Sequence, residues 1–357
     1  MVRGFRRTLR RLLRPHERSV PIPMATIKEV AAKAGVSVTT VSRALNNRGY
    51  LGKETRERIQ AAMAELNYHP NEVARSLTNR KTNIIGVLVP ALKSAYFAEV
   101  AAELANAITS RGYKMMLYTA KNTGDQALEY ISMLKASQVD GIILCLRVRS
   151  VSTVLPDELP VVTMERQKVG RHPTILCDNE MGGRLAAREL LDAGCRKPMM
   201  IGCFHGHDVP AYKRALGYQQ EMNEAGVELR YMEACAANLG PKFALLAEAV
   251  VRQHPDVDGF FCSDDNLACS LISALHRAGK RVPEDVKVVG FNSNFLAAML
   301  SPSLTSVRQN IPEMCRAAVD CLIRRINGET DMEDRIIPVT LDRRESTQRS
   351  PEDPAGE

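Results

Sequence analysis

One stretch of twenty residues, TIKEVAAKAGVSVTTVSRAL (26–45), constrains this chain more than any other. It reads as two short helices joined by a tight turn. Thr26 stands where a side chain caps the first helix, and Glu29 three residues later completes an S/T-x-x-E capping box. Val30, Ala31 and Ala34 then share one face at helical spacing. Gly35 supplies the residue able to take φ > 0, Val36 fills the corner, and Ser37 caps a second helix over about 38–45. On that helix Val41, Ala44 and Leu45 point inward, which leaves Val38, Thr39, Thr40, Ser42 and Arg43 outside. Small hydroxyls with a single Arg on the exposed side suit the major groove, where a helix lies close to base edges.

Charge supports that reading. Of the formal +7, residues 1–24 hold seven Arg against one Glu, residues 25–83 hold ten Lys/Arg against five Glu, and the rest of the chain is net acidic. A basic end on a neutral-to-acidic body is the footprint of a polyanion-binding head. Residues 1–23 are Arg-rich but lack the apolar run and small-residue cleavage site of a secretory signal, so they read as a basic, disordered extension. Met24, directly before the first helix, is the expected start of the native chain. No apolar run reaches the ~18 residues of a membrane helix. The nine cysteines form no C-x-x-C pair, which fits reduced, buried thiols in a cytoplasmic protein.

A third helix is expected over about 53–66, with Ile59, Ala62, Met63 and Leu66 inward, and Tyr68-His69-Pro70 ends it. The short segment after Asn71 has a helical pattern too thin in apolar residues to stand alone. From Ile84 the texture alternates between strand and helix. IIGVLVP (84–90) has the continuous apolar character of a parallel strand buried on both faces. Strands follow near 113–118, 140–146, 160–164, 174–177, 198–203, 258–262 and 286–291, with helices near 97–111, 125–137, 180–193, 211–225, 241–253 and 265–279. This order specifies doubly wound α/β layers, too long for one sheet and read as two subdomains with a ligand cleft beyond the strand ends.

With those residues in view, the chain resembles the LacI/GalR family of bacterial repressors from about Met24 to Thr347. ATIKEVAAKAGVSVTTVSRALN is similar to the family head, and RERIQAAMAELNYHPNEVARSLTNRKTNIIGVLVP to its third helix, hinge and first core strand. The resemblance implies an all-α helix-turn-helix head (24–70), a hinge (71–83) and a periplasmic-binding-protein-like, type I core of two doubly wound parallel-sheet subdomains (84–348). The first subdomain would take 84–178 and 310–330, the second 179–309 and 331–348, with 349–357 as a disordered tail. It further implies a homodimer on a palindromic double-stranded operator, switched by a small effector in the cleft. Carried over position by position, Val38, Thr39 and Arg43 would face the groove, with Thr40, Ser42 and Asn46 near backbone or bases. Thr26, Tyr50, Gly52 and Thr55 would touch phosphates. Asn71, Ala74 and Leu77 match the hinge helix, whose leucine wedges into the minor groove. Members of the family often carry a larger or polar residue at the position of Val38.

In the core, Tyr96 and Phe97 resemble the aromatic segment of purine-binding members. Arg214 stands where the family holds an effector-contacting arginine, and Asp178, Asp264 and Asn292 match cleft positions, with Asp265 expected to cap the following helix. Asn292 replaces the aspartate usual in sugar-binding members. Arg147 and Arg166, also at strand ends, would make the cleft basic and favour a sugar acid or sugar phosphate beside a plain sugar. That charge argument requires that neither arginine pair with Glu165 or Asp157. A purine or a protein co-effector is the alternative. His205-Gly206-His207 is too sparse for a metal site, and no metal or cofactor is expected. The core has no G-x-G-x-x-G after a strand, no P-loop and no nucleophile elbow, so an enzyme is not expected. A transport binding protein would carry a signal peptide and no basic head.

Overall fold

The structure is a computed structural model that describes residues 25–45, 50–68, 81–120, 124–146, 155, 159–166, 170–202, 209–234 and 242–348. The expectations for 1–23, Asn46, Asn71, Ala74, Leu77, Arg147, Asp157, His205, His207 and the tail lie outside them. Two compact units divide at Thr82 and Asn83.

In the first unit the local signals act as read. Helix α1 (Ile27–Ala34) starts at Thr26, whose hydroxyl accepts from the Glu29 N–H while the Glu29 carboxylate accepts from the Thr26 N–H at 2.6 Å. It stops at Gly35, whose φ of 63° lets the next residue, Val36, return its N–H to the Ala31 carbonyl at 3.0 Å. Helix α2 (Val38–Leu45) follows, and α3 (Lys53–Glu65) closes the unit. The three bury Val30, Ala31, Ala34, Val41, Ile59 and Ala62, with Leu45, Leu66 and Tyr68 packed at the edge.

The second unit contains two six-stranded sheets. Sheet one is assembled from β1 (Ile84–Val89), β2 (Lys114–Thr119), β3 (Gly141–Leu144), β4 (Val161–Met164), β5 (Thr174–Cys177) and β11 (Arg335–Ile337), in the order β11-β5-β4-β3-β1-β2 and all parallel. Helices α4 (Ala95–Ser110) and α11 (Ile311–Ile326) pack together, with α11 against β3, β4 and β5. Helix α5 (Gly124–Ala136) contributes Ala127, Ile131 and Leu134 to a separate apolar cluster with Leu88, Ile142 and Leu144.

Sheet two uses β6 (Pro198–Gly202), β7 (Tyr231–Glu233), β8 (Gly259–Cys262), β9 (Lys287–Asn292), β10 (Thr305–Gln309) and β12 (Val339–Asp342), in the order β12-β10-β9-β8-β6-β7. It is parallel except for the antiparallel β10–β12 pair. Helices α6 (Asn179–Asp192) and α7 (Tyr212–Glu224) pair with each other, as do α8 (Phe243–Gln253) and α9 (Asp265–Arg277), and the short α10 (Phe295–Met299) follows β9. The α6–α7 contact is very close. A Cβ on Gly183 would lie 2.0 Å from the Arg214 carbonyl oxygen, and one on Gly217 2.0 Å from that of Glu180.

The chain passes between sheets three times, after β5, after β10 and between β11 and β12. The last crossing corrects the expected boundary. Residues 331–348 do not all belong to the second subdomain, because β11 pairs with β5 in sheet one and buries Ile337, and only β12 beyond Pro338 joins sheet two. In each sheet the order reverses beside the first strand (β2-β1-β3 and β7-β6-β8), which places two topological switch points at the C-terminal strand ends. No helix among the described residues is long and apolar enough to cross a membrane.

Candidate functional site

Two regions concentrate the chemistry. On the head, α2 presents Val38 at 40% exposure with Thr39 and Arg43 also exposed, while Val41 is completely buried. Thr40 is committed elsewhere: its N–H donates to the Ser37 hydroxyl at 3.1 Å and the two hydroxyls lie 2.8 Å apart, so both serve the start of the helix. Ser42 is half-buried and also engaged. Thr26 acts in the capping box, and Gly52 begins α3 by accepting from the Arg56 N–H. Thr55 is half-buried in the first turn of α3, and Tyr50 is 98% exposed.

In the core the predicted residues gather at the crossings between the sheets. The Tyr96 hydroxyl donates to the Gln309 side-chain carbonyl at 3.2 Å, and the Gln309 amide donates to Asn292 Oδ1 at 2.8 Å. The Asn292 amide then donates to Asp264 Oδ2 at 3.2 Å. This line runs from α4 of sheet one, through the end of β10, to β9 and β8 of sheet two. Burial, with Glu165 adding to it, holds the Tyr96 phenol far above its ordinary ionisation range, so it remains a neutral donor. Asn292 adopts φ 113° and Glu165 φ 51°, conformations that cost of order 1–3 kcal/mol for residues with a Cβ and that gather at functional positions.

A second network is centred on Arg214. Its Nε donates to Asn179 Oδ1 at 2.7 Å, its Nη1 to the Ser263 carbonyl at 2.7 Å, and its Nη2 lies 3.7 Å from Glu165 Oε2. The guanidinium carbon stands 3.6 Å from the Phe291 ring centroid. Glu165 in turn accepts from the Cys177 N–H at 2.5 Å and the Asn179 amide at 3.3 Å. Arg214, at 7% exposure, is therefore a buried cation whose charge is met by a buried carboxylate, as burial of such a group requires. Arg166 donates to the Glu165 main-chain carbonyl at 2.8 Å and lies over the Phe97 ring at 5.6 Å. Phe97 and Tyr96 meet edge to face at 5.0 Å.

One sequence reading changes here. Asp264, not Asp265, caps α9, accepting from the Asn266 N–H at 2.8 Å. Asp265 is fully buried and accepts from the Ser306 hydroxyl at 2.6 Å and the Asn294 N–H at 3.0 Å, and its burial pushes the carboxyl up to about 7. Asp178 spends one carboxylate oxygen capping α6, on the Met181 N–H at 3.0 Å. Of the residues expected to make the cleft basic, Arg147 lies outside the described residues, Arg166 bonds the Glu165 main-chain carbonyl and not its carboxylate, and Arg214 faces the Glu165 carboxylate. Gln309, Asn179 and Ser263 were missed as members of these networks. For Ser263 the available signal was a polar residue closing the apolar strand GFFC; Gln309 ends the largely polar TSVRQ, where no such contrast marks it.

Comparison with known proteins decides the family. Residues 26–71 match the bacterial regulatory proteins of the lacI family, and 187–347 match a periplasmic binding protein-like domain. The ribose operon repressor of Halalkalibacterium halodurans is 34% identical over 327 residues, 91% of this chain and 97% of that one. The chain belongs to the LacI family. The HTH-type transcriptional repressor PurR of Vibrio vulnificus is 33% identical over 314 residues, 86% of this chain and 93% of that protein. The fold matches a Lac repressor dimer bound to operator and an anti-inducer with a TM-score of 0.79 at 24% identity, covering 91% of this chain and 99% of that one. As a LacI-family protein it is a DNA-binding regulator of transcription rather than an enzyme. Among its described residues no three His, Cys, Asp or Glu side chains gather as a metal site.

Proposed function

We propose that this LacI-family regulator represses a carbohydrate-related operon, binds a palindromic operator as a homodimer, and is switched by a neutral sugar held between its two sheets. The observation that carries the sugar assignment is the Tyr96–Gln309–Asn292–Asp264 line beside a charge-balanced Arg214. It offers alternating donors and acceptors on both sides of the crossings, with Glu165 already answering the buried Arg214. Vicinal hydroxyls, each both donor and acceptor, fit such an array. A sugar acid or phosphate would meet the Asp264 carboxylate, and Glu165 already takes up the charge of Arg214. A purine would stack on an aromatic face, and Arg166 already lies over one face of Phe97. Relatives named for ribose repression support the same class.

The switch follows from the three crossings. A ligand that joins the two sheets changes their closure, and its effect on DNA affinity is bounded by its differential affinity for the two states. A thermal-shift panel of neutral sugars, sugar acids, sugar phosphates and purines tests the class. A ligand at 100 times its Kd adds about 2.7 kcal/mol. A neutral sugar is expected to raise the transition, and a response confined to purines or to anionic sugars would overturn the assignment.

A further inference from the structure

The outward face of α2 separates into spent and available groups. Ser37 and Thr40 use their hydroxyls on each other and on the helix start, and Ser42 is engaged. Val38, Thr39 and Arg43 are exposed, with Thr39 and Arg43 one turn apart. An isopropyl group has neither donor nor acceptor. Pressed on a polar base edge it would strip water from that edge and return nothing, and with the Ser37, Thr40 and Ser42 hydroxyls engaged, only that of Thr39 beside it is left to compensate. In the major groove the one apolar feature is the C5-methyl of thymine.

We propose that Val38 reads the C5-methyl of a thymine in each half-site, aided by the Thr39 methyl, while Arg43 forks onto a guanine about two base steps away. The five residues from Val38 to Arg43 rise about 7.5 Å along the helix, close to two steps of 3.4 Å. The specificity at the Val38 end is then for a methyl group and not for a hydrogen-bonding pattern. The same contact accepts 5-methylcytosine and rejects cytosine and uracil. This rests on the DNA-binding reading of the head.

The test uses the full-length protein. A duplex is first selected from a randomised pool, and its thymines are then replaced one at a time, symmetrically, by uracil, which removes only the methyl. At one position uracil is expected to weaken binding about fourfold per half-site, the effect of one buried methyl group. Val38→Ser, at an exposed position that leaves the helix core untouched, should bind the thymine duplex about as weakly as the uracil one and so lose the thymine–uracil difference there. Equal affinity for thymine and uracil duplexes at every position would overturn the methyl contact while leaving DNA binding intact. Persistence of the difference in Val38→Ser would do the same. Failure to enrich any duplex would overturn the DNA-binding reading itself.

Discussion

Gln309 is the joint between the two sheets, and replacing it by leucine tests that role with little change in volume. The side chain is 4% exposed and makes two hydrogen bonds, accepting from Tyr96 at 3.2 Å and donating to Asn292 at 2.8 Å. Gln309→Leu leaves a buried hydroxyl and a buried amide oxygen without partners, each costing about 1–3 kcal/mol. Leucine returns roughly 1 kcal/mol through its apolar surface. The net loss is about 1–5 kcal/mol, which for a unit of this size lowers Tm by roughly 2–15 °C. Tyr96→Phe alone orphans the Gln309 oxygen and should cost about 1–2 kcal/mol. In the double variant the Tyr96–Gln309 bond can be lost only once, so its cost should fall short of the sum by about 1 kcal/mol. Urea unfolding of the four proteins, followed by far-UV circular dichroism, supplies the cycle. Costs that add within about 0.3 kcal/mol would refute the coupling across the crossing.

Three further expectations come from named contacts. Gly217→Ala gains about 1 kcal/mol of helix propensity but drives a Cβ to 2.0 Å from the Glu180 carbonyl. Calorimetry should therefore show a net loss of about 1–3 kcal/mol, and a higher Tm would contradict the close α6–α7 crossing. Asp265 is held near 7 by burial against 3.8 in the unfolded chain, so its contribution is complete below about pH 4 and is lost as pH rises through 7. Unfolding measured at pH 5 and pH 8 should show that Asp265→Asn removes this decline; an identical pH dependence in both proteins would contradict it. Thr26→Ala should destabilise the head by about 1 kcal/mol through loss of the capping box, and a head transition unchanged by the substitution would remove the cap from the account.

The head was legible because its determinants are local. Thr26 and Glu29 lie three residues apart, Gly35 sits at the turn, and Ser37 opens the next helix, so each signal acts within one turn of itself. The apolar strands of the core were legible for the same reason, IIGVLV and GIIL being buried runs with no competing pattern. What lay outside the reading was non-local. Strand β7 is three half-exposed residues, and β11 and β12 are short strands on either side of Pro338 that exist through pairing with β5 and β10. Nothing in their own composition says which sheet each joins. The exchange of roles between Asp264 and Asp265 depends on the extended conformation of Asp264 (φ −155°, ψ 138°), which turns one carboxylate back onto the helix start and sends its neighbour inward. Glu165 closes an apolar strand in a left-handed conformation, and only the fold brings Arg214 to it.

The coupling between cleft and DNA is the centre of the account, and one titration measures it. Operator affinity of the full-length protein is determined by fluorescence anisotropy with and without the neutral sugar that raises its Tm. A functional coupling of 1–3 kcal/mol predicts a change of roughly 5- to 150-fold in operator affinity, with the operator changing sugar affinity by the same factor. A sugar that binds tightly and leaves operator affinity unchanged would contradict the account, because the two sites would then share no conformational equilibrium.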